Sequence, residues 1–261
     1  VTVAAIQPGL HTQDSTELQR NIDLTTRAAA GGARLVVWRE KSLGVDPQHD
    51  PVGQQLVALA RKNHIYLVVG YQVITPAGQR NEATVIAPDG RYLGVYGKQH
   101  PAIVFADDQT SITAGAMPVY PTAFGRLATI ICFDLDYTDS ARTAAQHGAQ
   151  ILAVPSWDPP GDAPKHYDLL VFRAIENRLT IIKSDAANDS AIIDPYGRII
   201  DHTLTTRPTR AALIAAAPAG TGHTPLVALG NLWGWLIVAG AVAINTLNTH
   251  TLRHPKQREA N

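Results

Sequence analysis

Residues 127–134 read Leu127-Ala128-Thr129-Ile130-Ile131-Cys132-Phe133-Asp134, an apolar run that ends on the one cysteine of a 261-residue chain. A short apolar run with β-branched members predicts a buried strand. Two other segments share this form. Leu35-Val36-Val37-Trp38 leads through Arg39 to Glu40, and Tyr92-Leu93-Gly94-Val95-Tyr96 leads through Gly97 to Lys98. Each reactive residue stands just past a predicted strand, and ligand sites of α/β architectures gather outside strand ends.

The rest of the chain alternates in the same style. Strands are predicted over 1–7, 65–71, 83–87, 151–155, 179–183, 190–193, 198–200 and 211–217. Helices are predicted over 14–30, 51–63, 138–147 and 167–177, the first opened by Asp14-Ser15-Thr16-Glu17 and closed by Gly31-Gly32. Pro88-Asp89-Gly90-Arg91 and Asp194-Pro195-Tyr196-Gly197 are turn signals. Hairpins mixed with β-α-β passages imply packed sheets with helices outside.

The three strand-end residues form a coherent chemical set. A cysteine with its ordinary pKa of about 8.5 is mostly thiol at neutral pH. A carboxylate can take its proton, and an ammonium can stabilise the oxyanion of a tetrahedral intermediate. Position alone leaves a plainer reading open. A lone cysteine is often a small buried hydrophobe, and Glu40 and Lys98 can be surface charges.

Composition excludes other functions. Net charge is zero with no basic face in view, so nucleic-acid binding is not expected. One cysteine permits neither an internal disulfide nor a cysteine-rich zinc site, and the ten histidines lack ligand spacing. No phosphate-binding loop or G-x-S-x-G elbow occurs. No metal or cofactor is expected. The chain begins at Val1 rather than methionine, which suggests a processed chain or a fragment.

Residues 226–244 carry no charged side chain, with Trp233 and Trp235 near their start and basic residues beyond their end. A helix of about 20 apolar residues spans a bilayer. Interfacial tryptophans and following positive charge would set the tail in the cytoplasm and the preceding domain outside. Gly230, Gly234 and Gly240 would each cost a water-soluble helix about 1 kcal/mol. The expected organisation is a catalytic domain over 1–220, a transmembrane helix over 226–247 and a basic cytoplasmic tail over 248–261.

Taken together, the motifs resemble the nitrilase, or carbon–nitrogen hydrolase, superfamily across nearly all of residues 1–217. The likeness rests on Val3-Ala4-Ala5-Ile6-Gln7-Pro8, on the Glu40, Lys98 and Cys132 motifs, on Arg173-Ala174-Ile175-Glu176-Asn177 and on Asp194-Pro195-Tyr196-Gly197-Arg198. It implies an α/β fold, a four-layer α-β-β-α sandwich, with Glu40, Lys98 and Cys132 as the catalytic triad. Trp38, the 173–177 and 194–198 motifs and the apolar C-terminal run look most like the apolipoprotein N-acyltransferase branch. That likeness implies a fatty acyl group passing from a phospholipid to Cys132, and then to the N-terminal amine of a lipoprotein at the outer face of the cell membrane. The alternatives are a small-molecule amidase or nitrilase with the same triad, and an inactive membrane-bound descendant.

Some positions depart from the family pattern. Arg39 stands where proline is usual, and Phe133-Asp134 replace Tyr-Glu. Asp107 aligns with the family's second glutamate. Asp107, Phe133, Asp134 and Trp157 are secondary candidates for contact with substrate. Glu176 reads as structural, paired with an arginine.

Overall fold

The computed structural model describes residues 1–9, 12–76, 78–102, 117–159, 163–205 and 207–253. Two six-stranded sheets lie face to face. The first contains β1 (Thr2–Gln7), β2 (Leu35–Val37), β3 (Tyr66–Thr75), β4 (Gly78–Ile86), β5 (Tyr92–Gly97) and β12 (Ala211–Ala216), in the order β12-β1-β2-β3-β4-β5. The second contains β6 (Val119–Thr122), β7 (Gly125–Thr129), β8 (Ile151–Pro155), β9 (Thr180–Ser184), β10 (Ala191–Ile193) and β11 (Ile199–His202), in the order β11-β10-β9-β8-β7-β6.

Each sheet has a parallel centre. β1, β2 and β3 run parallel, crossed over by α1 (Ser15–Ala30) and α2 (Val52–Asn63). β7, β8 and β9 do the same with α3 (Thr138–Gln146) and α4 (Ala163–Asn177). Parallel strands need such crossovers, and the helices cover the outer faces. The strand ends that carry Glu40 and Cys132 therefore leave the parallel centre of each sheet.

Alternation along the strands builds the layers. In β1, Val3 and Ala5 join Leu35, Val37, Val68, Leu127, Ile151 and Ile182 in the layer between the sheets. Ala4 and Ile6 face the other way, with Val36, Leu67 and Val69, onto Leu24, Ala28, Leu56 and Leu59 of α1 and α2. The second sheet packs Ala128, Leu152, Val154 and Ile181 with Ala141, Ala144, Leu170 and Ala174 of α3 and α4. The four-layer α-β-β-α sandwich expected from the sequence is the fold observed.

Local chemistry explains the boundaries. Asp14 caps α1, its carboxylate accepting the Thr16 and Glu17 N–H groups at 2.9 and 3.0 Å. Gln7, at the end of β1, ties the sheets together. Its amide donates to the Ala187 and Thr209 carbonyls at 2.8 Å, and its oxygen accepts from the Ser190 and Thr203 hydroxyls at 2.8 and 2.7 Å.

The expected membrane-spanning helix over 226–247 is corrected. The segment is two helices, α5 (Pro225–Leu229) and α6 (Leu232–Arg253). Thr224 caps α5 by accepting the Val227 N–H at 3.0 Å, and Gly230 leaves the helix at φ +54°. The apolar stretch is thereby cut at its start, and Asn245 and Thr246 interrupt it further on. Among the described residues, no helix is long and apolar enough to cross a membrane. The tail beyond 253 lies outside the described residues.

Ile182 sits at the centre of the inter-sheet layer, fully buried. Ile182→Ala is expected to cost about 2–5 kcal/mol, read as a lowered urea midpoint with an unchanged slope.

Candidate active site

The chain turns sharply at Cys132, which has a left-handed backbone (φ +46°) and opens a single 3-10 turn over Cys132–Asp136. Non-glycine residues hold such a conformation only where their surroundings enforce it. Here Asp134 does so. Its carboxylate accepts the Ile131 N–H at 3.0 Å and the Tyr96 hydroxyl at 2.8 Å. It also accepts two N–H groups of the loop after Lys98, from Gln99 at 3.0 Å and His100 at 2.8 Å. Arg173 of α4 braces the far side, donating to the Leu135 and Asp136 carbonyls, while Glu176 pairs with it at 2.6 Å.

Asp134 thus ties the cysteine turn of one sheet to the loop that carries Lys98 in the other. The Lys98 N–H donates to the Asn81 carbonyl, and its ammonium lies 2.9 Å from the Glu40 carboxylate. The Asn81 side-chain amide donates to the same Glu40 oxygen at 2.5 Å. Glu40 and Lys98 are 3% and 2% exposed, so neither is a surface charge.

Glu40 is fixed by its backbone. Its N–H donates to the Ser156 carbonyl, across to the other sheet, at 3.3 Å. Gly70 of β3 lies against it, where a Cβ would sit 2.4 Å from the Arg39 carbonyl oxygen and 2.8 Å from the Glu40 Cα. Only glycine admits this approach. Arg39, which replaces the usual proline, is buried and bound at two of its three guanidinium nitrogens by Glu17 of α1, at 2.6 and 2.8 Å. Its third nitrogen donates to the Glu40 carbonyl at 2.6 Å.

The Cys132 thiol donates to the Asp158 carboxylate at 3.2 Å. Burial pushes the thiol well above its ordinary pKa, the charges of Glu40 and Asp158 add to this, and Lys98 offsets part of it. Asp158 follows β8, and its second oxygen faces Lys183 at 2.5 Å and His166 at 2.8 Å. His166 reaches Asp136 with its other nitrogen at 2.9 Å. Burial works against a charge on His166, but the Asp136 and Asp158 carboxylates outweigh it and raise its pKa to about 9.

The site brings Glu40 and Lys98 together at 2.9 Å, and the charges of both act on the Cys132 thiol. Asp134 is present as a buried tie rather than on an open face. Phe133 packs edge-on to Tyr137 at 5.6 Å, under the Lys165 ammonium. Trp157 is 38% exposed, with Lys41 over its ring and its carbonyl 3.9 Å from the Cys132 sulfur. Asp107 lies outside the described residues. Sequence reasoning missed Glu17, Asp158, His166 and Lys183. The strand-end criterion that found Glu40 and Cys132 also points to Asp158, three residues past Pro155.

Cys132, Asp158 and His166 are close enough to share a metal ion, as are Asp158, Asp185 and Asp189. The Lys183 ammonium already lies on Asp158 and Asp189, supplying the positive charge that these carboxylates need. The donor sets therefore do not call for a metal.

A sandwich of two sheets that converges a carboxylate, an ammonium and a thiol at its strand ends defines the nitrilase-like class. The chain belongs to the carbon-nitrogen hydrolase family, whose model matches residues 2–221. It is 26% identical over 244 residues to an apolipoprotein N-acyltransferase of Geobacter metallireducens, covering 84% of this chain and 46% of that one. It thus spans about half the length of that relative. It is 25% identical to an omega-amidase of Mus musculus, covering 76% of this chain and 82% of that one. A deaminated glutathione amidase of Synechocystis is 28% identical, with 72% and 81% covered. Among solved structures, an amidase from Nesterenkonia shares the fold with a TM-score of 0.76 at 22% identity, covering 89% of this chain and 96% of that one.

Two outcomes test the site's supports. Glu17→Ala leaves Arg39 buried without its carboxylate, and should cost about 3–5 kcal/mol in chemical denaturation. The raised pKa of His166 means its charged pairing stabilises the fold fully below the ordinary 6.5 and is lost as pH climbs through about 9. Thermal stability should fall across that window in the parent chain, and His166→Gln should flatten the fall.

Proposed function

We propose that this chain is an amidase that hydrolyses a carboxamide through a thioester on Cys132. The observation that carries this reading is the buried Glu40–Lys98 pair, 2.9 Å apart, at strand ends that converge with that of Cys132. The amidase relatives, matched over most of their own length, support it.

In this reading Glu40 accepts the thiol proton as the sulfur attacks the carbonyl carbon. The carbonyl π pair moves to oxygen, and the Lys98 ammonium stabilises that charge in a site with little water. Collapse breaks the C–N bond, and Glu40 returns the proton to the departing nitrogen. Water, deprotonated by Glu40, then cleaves the thioester to carboxylic acid and free thiol.

A second reading has its own support. α6 exposes Trp235, Ile237 and Leu247 at 70%, 70% and 67%. A groove of about 460 Å³ lies between Trp233, Trp235 and Val238 on one side and Arg142 and Glu176 on the other. Scattered apolar exposure is ordinary, but a helix that exposes large apolar side chains from Leu232 to Leu247 suits an apolar or lipid surface. With the acyltransferase relative, this supports transfer of a fatty acyl group from a phospholipid to a lipoprotein amine at the outer face of the cell membrane.

Intact-mass spectrometry and ammonia release separate the two. The expected result is ammonia from a panel of short carboxamides, lowered on the order of 1000-fold or more in Cys132→Ala. A hydroxylamine-sensitive fatty-acyl adduct on Cys132 after incubation with phospholipid vesicles, without ammonia release from any amide, would replace the amidase reading with the acyltransferase one.

A further inference from the structure

The nucleophile touches a second carboxylate that the reaction above does not use. Asp158 is fully buried, and its first oxygen accepts the Cys132 S–H at 3.2 Å. Its backbone N–H is held by Asp185 at 2.8 Å. Its second oxygen lies at ion-pair distance from two cationic groups, Lys183 of β9 at 2.5 Å and His166 of α4 at 2.8 Å. The site thus contains two buried carboxylate–lysine pairs, Glu40 with Lys98 and Asp158 with Lys183, and the thiol is held by the second.

We infer that Asp158 is a further catalytic residue, whose carboxylate holds the resting Cys132 as an oriented thiol. The inference rests on the thioester reading of Cys132, and it deepens that reading.

The division of labour follows from the partners. Burial opposes ionisation of Asp158, but Lys183 and then His166 outweigh it and hold the carboxyl well below the usual range. Burial pushes Asp189 up to about 9, so Asp158 is the anion that Lys183 chiefly neutralises. A carboxylate so stabilised is a weak base. The S–H bond therefore breaks toward Glu40, and Asp158 stays ionised throughout. A fixed anion beside sulfur penalises the free thiolate, but neither the neutral thiol nor the neutral thioester. It disfavours an idle thiolate and favours proton removal coupled to attack.

The charged groups that set this balance are few among the described residues. Glu40 and Lys98 face the sulfur from the first sheet. Lys183, Asp185 and Asp189 flank Asp158 from β9 and the loop after it, and His166 flanks it from α4. Asp136 and then Lys165 stand behind His166.

Because Cys132 is the one cysteine in the chain, alkylation reports on it alone. The experiment measures the rate of reaction with iodoacetamide against pH for the parent chain, Asp158→Asn and His166→Gln, with Cys132→Ala as blank. Removing a like charge in contact moves a pKa by about 1–3 units. Asp158→Asn should shift the alkylation midpoint down by about one unit or more. His166→Gln removes a cation from Asp158 and should shift it up. Opposite signs are not produced by a merely loosened site. For carboxamide turnover, Asp158→Asn should lower kcat with KM little changed. A folded Asp158→Asn whose midpoint stays put or rises overturns the inference. If that variant fails to fold, an unshifted or lowered midpoint in His166→Gln overturns it. The midpoints are measurable without any turnover, so a chain that hydrolyses no amide defeats the amidase reading while leaving the Asp158 assignment to its own result.

Discussion

The site depends on the hydrogen bonds of one buried carboxylate, that of Asp134. The cysteine turn and the Lys98 loop belong to different sheets, and neither sheet alone can set the distance between them. Asp134 accepts N–H groups from both, together with the Tyr96 hydroxyl. Burial and the Asp134 charge hold that phenol protonated, so it remains a donor. A buried acceptor with every donor in place is rigid, because any displacement leaves polar groups unpaired. The left-handed backbone of Cys132 is tolerable in that setting.

The fold was legible because its signals are local. Strand alternation, the Asp14 cap and the Gly31 close of α1 appear in the sequence as they appear in space. The less legible parts have physical causes. β6 contains Pro121, which removes a ladder donor and hides a short edge strand. β4 starts at Gly78, ahead of the sequence estimate, because residues 78–82 are polar and lack an apolar pattern. The C-terminal segment read as one helix because its composition is uniformly apolar, while a single glycine torsion divides it.

The site was legible where function stands at a strand end and illegible where it depends on distant pairing. Position makes Glu40, Lys98 and Cys132 candidates, and the family resemblance is what singles them out as a set. Arg39 looked like a departure, and its meaning lies in Glu17, which approaches from another element to neutralise it. His166 and Lys183 gave no signal, since an isolated histidine or lysine in a sequence carries no trace of the carboxylate it will meet. Asp134 was visible as a candidate, but the set of donors that its carboxylate ties together was not.

Gly70 shows a different kind of contribution. It offers no functional group, and its value is the volume that it leaves empty for the backbone of Arg39 and Glu40. The reactive carboxylate is thus located by an absence on a neighbouring strand. An inventory of side-chain chemistry would pass over this position, although the backbone of Glu40 depends on it. Any lineage that fills the space must also relocate the carboxylate.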